Sequence, residues 1–198
     1  MVSTSGSRLL PTEAVRDLRE GLLPHTTILT PNVPEALLLL SDAGLPAETP
    51  RDVNELIEIA KAVQSLGPKF VLLKGGHLPL KKNGDVARTA VERVLMVDIL
   101  YGEGIVTRIE TAYQNSKNTH GTGCSLACEL TVVKSRKPHH LTILAAIASN
   151  LANGLDIVRA VRRACRYVEA GIKTSTDLGR GNGPINHFHS TYTLPFTP

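Results

Sequence analysis

Tryptophan is absent from the 198-residue chain and aromatic residues make up only 4% of it, so there is no stacking platform for single-stranded nucleic acid. Cysteine is scarce. Cys124, Cys128 and Cys165 are an odd number without CxxC spacing, which describes neither a disulfide framework nor a zinc site; any cysteine that matters is a free thiol. No run approaches the roughly 20 consecutive apolar residues of a membrane-spanning helix, and Ala36 to Leu40 is only a helix face, so no membrane partner is expected. The opening Met1-Val2-Ser3-Thr4-Ser5-Gly6-Ser7 lacks the basic and apolar regions of a signal peptide, which points to a cytoplasmic protein. An excess of one charge is missing too: 22 basic against 18 acidic residues leave +4, a balance that permits anionic substrates but is unlike a nucleic-acid binder. Half of that excess, Lys134, Arg136 and Lys137 against Glu129, lies in the stretch Cys128 to Leu144. What is present, 42% hydrophobic and 20% charged residues, supports one globular domain rather than a disordered tail.

Punctuation along the chain predicts strands alternating with amphipathic helices. Pro11-Thr12-Glu13 opens a short helix ending near Gly21, and His25 to Thr30 reads as a brief buried strand running into Pro31. Pro34 in a first turn, with Glu35 beside it, starts a helix through Leu40 that Gly44 closes. Thr49-Pro50 then caps a longer helix whose Val53, Leu56, Ile57, Ala60 and Val63 share a face, with Gly67 at its end. Phe70-Val71-Leu72-Leu73 is a second apolar strand, and this alternation indicates an α/β layer architecture with a mainly parallel sheet. Val91 to Leu100 and Ile105 to Glu110, flanking Tyr101-Gly102-Glu103-Gly104, add an antiparallel hairpin. Lys81-Lys82-Asn83-Gly84-Asp85 is a loop. Val158, Val161, Cys165 and Val168 form a late helical stripe, with Arg159, Arg162, Arg163 and Arg166 on a solvated face outside it.

Three stretches carry candidate chemistry. In Asn118-Thr119-His120-Gly121-Thr122-Gly123-Cys124-Ser125-Leu126, two glycines lead into an apolar, helix-like continuation. If a helix starts there, its unpaired amides and positive dipole end form an anion hole suited to a transferring phosphate. Cys124 would stand at that point with its thiolate stabilised, able to take a proton from a substrate hydroxyl; a glycine turn capping an ordinary helix is the competing reading. Thr30-Pro31-Asn32-Val33-Pro34-Glu35 sets an amide and a carboxylate at a strand end and helix start, where Glu35 either partners the helix dipole or holds magnesium, directly or through water. Lys74-Gly75-Gly76-His77 leaves a buried strand and reads either as a phosphate contact through Lys74 or as a plain strand exit, with His77 a loop or packing residue.

Together with Gly183-Pro184-Ile185-Asn186-His187, these stretches stand in the order in which they occur in the hydroxymethylpyrimidine/phosphomethylpyrimidine kinases of thiamine biosynthesis, within the ribokinase-like superfamily, and the chain resembles that family along nearly its whole length. The resemblance implies a ribokinase-like layered α/β fold, a mainly parallel central sheet with an antiparallel hairpin, and ATP-dependent phosphorylation of the pyrimidine hydroxymethyl group and of its monophosphate. It implies ATP and Mg2+ as cofactors and a small-molecule pyrimidine as substrate. By the same resemblance Cys124 matches the catalytic base, the backbone of Gly121, Thr122 and Gly123 the anion hole, Asn32 and Glu35 the magnesium–phosphate motif, and Lys74 a lysine near the nucleotide phosphates. Pyridoxal kinases are the nearest enzymatic alternative, sharing the fold and in some cases the glycine–cysteine motif.

Three departures from the family pattern are expected. Met1 to Leu10 resembles a segment that in relatives follows several strands, so the first strands and part of the pyrimidine pocket are read as missing; the open apolar edge would invite association with a second copy. The expected domain, residues 1–190, is thus an incomplete kinase domain, and a non-catalytic fragment that binds nucleotide or a homologous partner is the rival from another class. Within it the 17 residues Cys128 to Leu144 form an atypical insertion, with a β-branched run and Pro138, where relatives continue in small apolar residues as Ala145 to Ala152 do. It reads as a translated intron or as a surface excursion whose Lys134, Arg136, Lys137, His139 and His140 contact an acidic partner. Residues 191–198 resemble the linker that in fungal bifunctional homologues leads to a second domain.

Overall fold

The structure, a computed structural model, describes residues 10–76, 78–114, 142–176 and 185–189. The chain divides into two compact units.

In the first unit, helix α1 (Thr12–Asp17) starts behind Pro11 and continues as a π turn, Leu18–Leu22, and a 3-10 turn, Leu23–His25. Arg19 Nε in the π turn donates to Asp42 Oδ2 at 2.9 Å, tying that turn to the end of the next helix. Strand β1 is only Ile28–Leu29, shorter than the expected His25 to Thr30, because His25 completes the 3-10 turn. Helix α2 (Val33–Asp42) begins at Asn32 with Pro34 in its first turn, as the sequence predicts. It ends at Gly44, whose φ of +70° is natural to glycine; the Leu45 amide reaches Leu40 O at 2.9 Å and the Gly44 amide Ser41 O at 3.1 Å, a Schellman closure.

Helix α3 (Val53–Gln64) departs from expectation at its start. Its cap is Asp52, whose side chain accepts from the Glu55 amide at 2.9 Å, rather than Thr49-Pro50, since only a side chain directly before the first turn can reach the open amides. Its buried face is Val53, Leu56, Ile59, Ala60 and Val63; the expected Ile57 is partly buried against the same core, and Ile59 is added to the face. Strand β2 is Phe70–Leu73, as predicted. Strands β3 (Leu95–Gly102) and β4 (Ile105–Ala112) form the expected hairpin around Glu103-Gly104, both at positive φ, the turn whose twist matches paired strands. Residues Ala90–Glu92 form a 3-10 turn, not the start of β3, because Glu92 folds back to accept from the amides of Arg88 and Thr89.

The sheet order is β1-β2-β3-β4, parallel between β1 and β2 and antiparallel beyond. Among the described residues the parallel part is therefore the β1–β2 pair and the bridge that extends it, Asn32 with Lys74. Val71 and Leu73 of β2 and Val97 and Ile99 of β3 join Leu39, Leu40, Leu56 and Val63 in the core. Phe70, Leu72 and Leu100 are also buried, so β2 is covered on both faces, as its unbroken apolar run requires.

In the second unit, α4 (Thr142–Ala152) packs on α5 (Ile157–Lys173). Asp156 caps α5 by accepting from the Arg159 amide at 2.9 Å, and Asn150 Nδ2 donates to Ala160 O at 3.1 Å. Ile143 and Ile147 are buried on α4, and Ala160, Val161, Ala164, Cys165 and Val168 on α5, where Val158 is only half-buried. Arg159, Arg162, Arg163 and Arg166 are exposed, the solvated face that the stripe predicts. Helix α4 starts at Thr142, so the last three residues of the Cys128 to Leu144 stretch are helical. Ile185 and Asn186 lie against the end of α5, the Asn186 amide donating to Gly171 O at 3.0 Å.

Candidate active site

Among the described residues, those of polar or charged type that are buried whole are Thr30, Asn32, Glu35 and Lys74. All four fall where β1 and β2 end and α2 begins. Burying polar groups is costly unless they are paired, and open α/β sheets take ligands outside the carboxyl ends of their strands, so this concentration marks a candidate site.

The chain builds it from backbone outward. The Lys74 amide donates to Pro31 O at 2.8 Å, carrying the parallel pairing of β1 and β2 one step past the strands and setting Lys74 beside Asn32. Asn32 Oδ1 accepts from the Glu35 amide at 2.8 Å, and Glu35 Oε2 accepts from the Asn32 amide at 3.0 Å. This reciprocal capping box satisfies two helix-end donors and holds the carboxylate, 0% exposed, at the positive end of α2. The first-turn reading of Glu35 is thus realised, and Asn32, which shares its capping box, is bridged through the backbone to Lys74. Lys74 is 8% exposed.

Gly75 could be no other residue: a Cβ there would lie 2.0 Å from Val97 O. Its amide donates to Asp98 Oδ1 at 2.9 Å. Sequence reading missed Asp98, for which the available signal was a lone carboxylate inside the apolar run Met96-Val97-Asp98-Ile99-Leu100.

Of the residues expected to act, Asn32, Glu35 and Lys74 are therefore brought together, while Cys124, Gly121, Thr122 and Gly123 lie outside the described residues, as does His77, read as a loop or packing residue. Among the described residues no group of three or more His, Cys, Asp or Glu side chains is placed to hold a metal ion, and no helix is long and apolar enough to cross a membrane.

A family model described as phosphomethylpyrimidine kinase matches residues 1–139 and 141–186. The chain belongs to the phosphomethylpyrimidine kinase family. Among its relatives, the hydroxymethylpyrimidine/phosphomethylpyrimidine kinase of Rhizobium meliloti is 34% identical over 191 residues, 96% of this chain and 59% of that protein. The thiamine biosynthesis bifunctional protein ThiED of Geobacter sulfurreducens is 36% identical over 187 residues, 94% of this chain and 31% of that one. The chain thus spans about a third to three-fifths of the length of these relatives. Among solved structures, the ADP complex of Bacillus subtilis pyridoxal kinase matches with a TM-score of 0.67 and 28% identity over 91% of this chain and 57% of that one. The α/β fold of this phosphomethylpyrimidine kinase family member, with a mixed sheet of four strands among the described residues, is ribokinase-like.

Proposed function

We propose that the chain transfers the γ-phosphoryl group of ATP to the hydroxymethyl group of a pyrimidine and to the phosphate of the resulting monophosphate, the reactions for which its relatives are named. The observation that carries this reading is the family match along nearly the whole chain; the buried grouping of Asn32, Glu35 and Lys74 at the strand ends supports it. In the first transfer the Cys124 thiolate takes the proton of the substrate hydroxyl. The freed oxygen bonds to the γ-phosphorus, the bond from that phosphorus to the bridging oxygen breaks, and ADP leaves. Backbone amides of Gly121, Thr122 and Gly123 would face the oxygens of the group in flight, and Lys74 and Asn32 the nucleotide phosphates. Such transfers depend on positioning and charge neutralisation rather than on covalent chemistry.

A carboxylate is the hard oxygen donor that Mg2+ takes, commonly one or two of them with phosphate oxygens and waters completing the shell, so Glu35 fits the cation as a ligand or through water. Bound there, Mg2+ would neutralise phosphate charge. We place the enzyme in the cytoplasm, with small-molecule partners, no nucleic acid or membrane, and self-association as a second copy of itself.

The test is a phosphate-transfer assay with Mg-ATP and either hydroxymethylpyrimidine or its monophosphate. ATP-dependent product is expected, and Cys124→Ala should lower kcat by about 10²–10⁴-fold while leaving nucleotide affinity nearly intact. Unchanged turnover in that variant would refute the role of Cys124. The likeness to a pyridoxal kinase favours one second reading, and a preference for pyridoxal in the same assay would select it. A folded protein that binds no Mg-ATP and makes no product would favour the non-catalytic fragment.

A further inference from the structure

We propose that Asp98 is a positioning residue for Lys74, acting through the Gly75 amide; the inference rests on the phosphoryl transfer set out above. The paired register of β2 and β3 runs from Val71 opposite Tyr101 to Leu73 opposite Ile99 and ends there. Beyond it the two strands stay too close for a side chain, which is why residue 75 is glycine, and the Gly75 amide turns to the Asp98 carboxylate at 2.9 Å. The two peptide groups that flank the Lys74 Cα are thereby both fastened. On one side the Lys74 amide holds Pro31 O at 2.8 Å; on the other the Gly75 amide holds Asp98, and Gly75 O in turn accepts from the Leu78 amide at 2.8 Å.

These anchors differ in kind. Pro31 O is a neutral acceptor on a loop, whereas Asp98 is a charged acceptor, and a hydrogen bond to a carboxylate is roughly twice as strong as one between neutral groups. Asp98 also stands on a strand whose partner is matched residue for residue, from Leu95 opposite Ala112 to Gly102 opposite Ile105. A group held by a rigid element transmits that rigidity to what it grips. The hairpin, which the sequence presents as an edge addition, therefore sets the backbone from which a phosphate-directed lysine departs. A charge displaced by about 1 Å from a transferring group can cost about a hundredfold in rate, so the anchor matters to function beyond its share of stability.

The experiment compares wild type, Asp98→Ala, Asp98→Asn, Lys74→Ala and the double variant Lys74→Ala/Asp98→Ala in Mg-ADP binding and in the transfer assay. Asp98→Ala should raise the KM for ATP and the Kd for Mg-ADP about tenfold, leaving the KM for the pyrimidine unchanged. Asp98→Asn keeps an oxygen acceptor for the Gly75 amide and should recover to within about threefold of wild type. The double variant should bind no more weakly than Lys74→Ala, since one residue acts through the other. Multiplicative losses, or a KM for ATP that Asp98→Ala leaves unchanged, would overturn the proposal. Should Asp98→Ala not fold, Asp98→Leu, close in size and apolar, takes its place. If wild type itself neither binds nucleotide nor transfers phosphate, the proposed function fails, and the anchor is then read by amide hydrogen exchange. Faster exchange of the Gly75 amide in the alanine variant, with shifted Lys74 resonances, is expected; unchanged protection of Gly75 would defeat the inference.

Discussion

Glu35 caps α2, and the magnesium role proposed for it asks for a different chemical property, so the two can be separated. As a helix cap it needs only an oxygen that accepts from the Asn32 amide; as a magnesium partner it needs charge. Glu35→Gln keeps an oxygen in place and removes the charge, whereas Glu35→Ala removes both. The alanine variant should therefore lose about 1 kcal/mol of stability through the cap, within a range of roughly 0.5–2 kcal/mol. The glutamine variant should unfold within a few degrees of wild type and yet need about ten times more Mg2+ for half-maximal turnover, the lower end of what disturbing a metal's surroundings costs. Thermal melts alongside a Mg2+ titration check both. A glutamine variant with an unaltered Mg2+ requirement would leave Glu35 as a cap alone.

At the scale of elements, the turn that leads into β3 is gathered by the Glu92 side chain. Glu92 accepts from the Arg88 and Thr89 amides at 2.9 and 3.2 Å and meets Lys81 Nζ at 3.1 Å. The Arg88 amide first, then Lys81 and the Thr89 amide, hold its carboxyl down from an ordinary 4.5 to about 2. Because the folded value lies below the unfolded one, the stabilisation is fully present above the unfolded value and is lost as the pH falls from there through about 2. The difference in melting temperature between wild type and Glu92→Gln should accordingly be constant near neutral pH and shrink to nothing on acidification through that window; a gap independent of pH would show that the ionised group is not what holds the turn. This element also shows where sequence ran out. Phe70–Leu73 was legible because four apolar residues ending in Lys74-Gly75 leave little choice, and the hairpin because Gly102-Glu103-Gly104 supplies the φ angles a tight turn needs. Val91 to Val94 reads as strand by propensity, yet Glu92 reaching back to two amides wins locally, and Val91 ends 93% exposed. Asp52 was hidden behind Thr49-Pro50, an equally plausible cap that stands too far from the first turn.

Across the whole molecule the site was legible only as far as its pieces lie close in sequence. Asn32 and Glu35 share one helix turn and were found together; Lys74 joined them through the family resemblance, since a lysine leaving a buried strand reads equally well as a plain strand exit. Asp98 comes from a strand that returns antiparallel 23 residues later, a pairing that no local pattern specifies. The same consideration of register bears on the stretch 128–144, which we propose is dispensable to the fold. Helix α4 begins at Thr142 and buries Ile143. Joining Ala127 directly to Ala145 would place Ser125, Leu126 and Ala127 at the register now held by Thr142, Ile143 and Leu144, so that Leu126 takes the position of Ile143. An apolar side chain of the same volume would meet the same neighbours, an exchange that costs less than about 1.5 kcal/mol, while shortening a connection is mildly favourable in entropy. A chain lacking Cys128 to Leu144 should thus fold with a melting temperature within a few degrees of the parent, and peptides from that stretch should be absent from the natural protein if it is translated intron. A deletion variant that is unfolded, or natural protein carrying those peptides in full yield, would show that the stretch is an integral part of the domain.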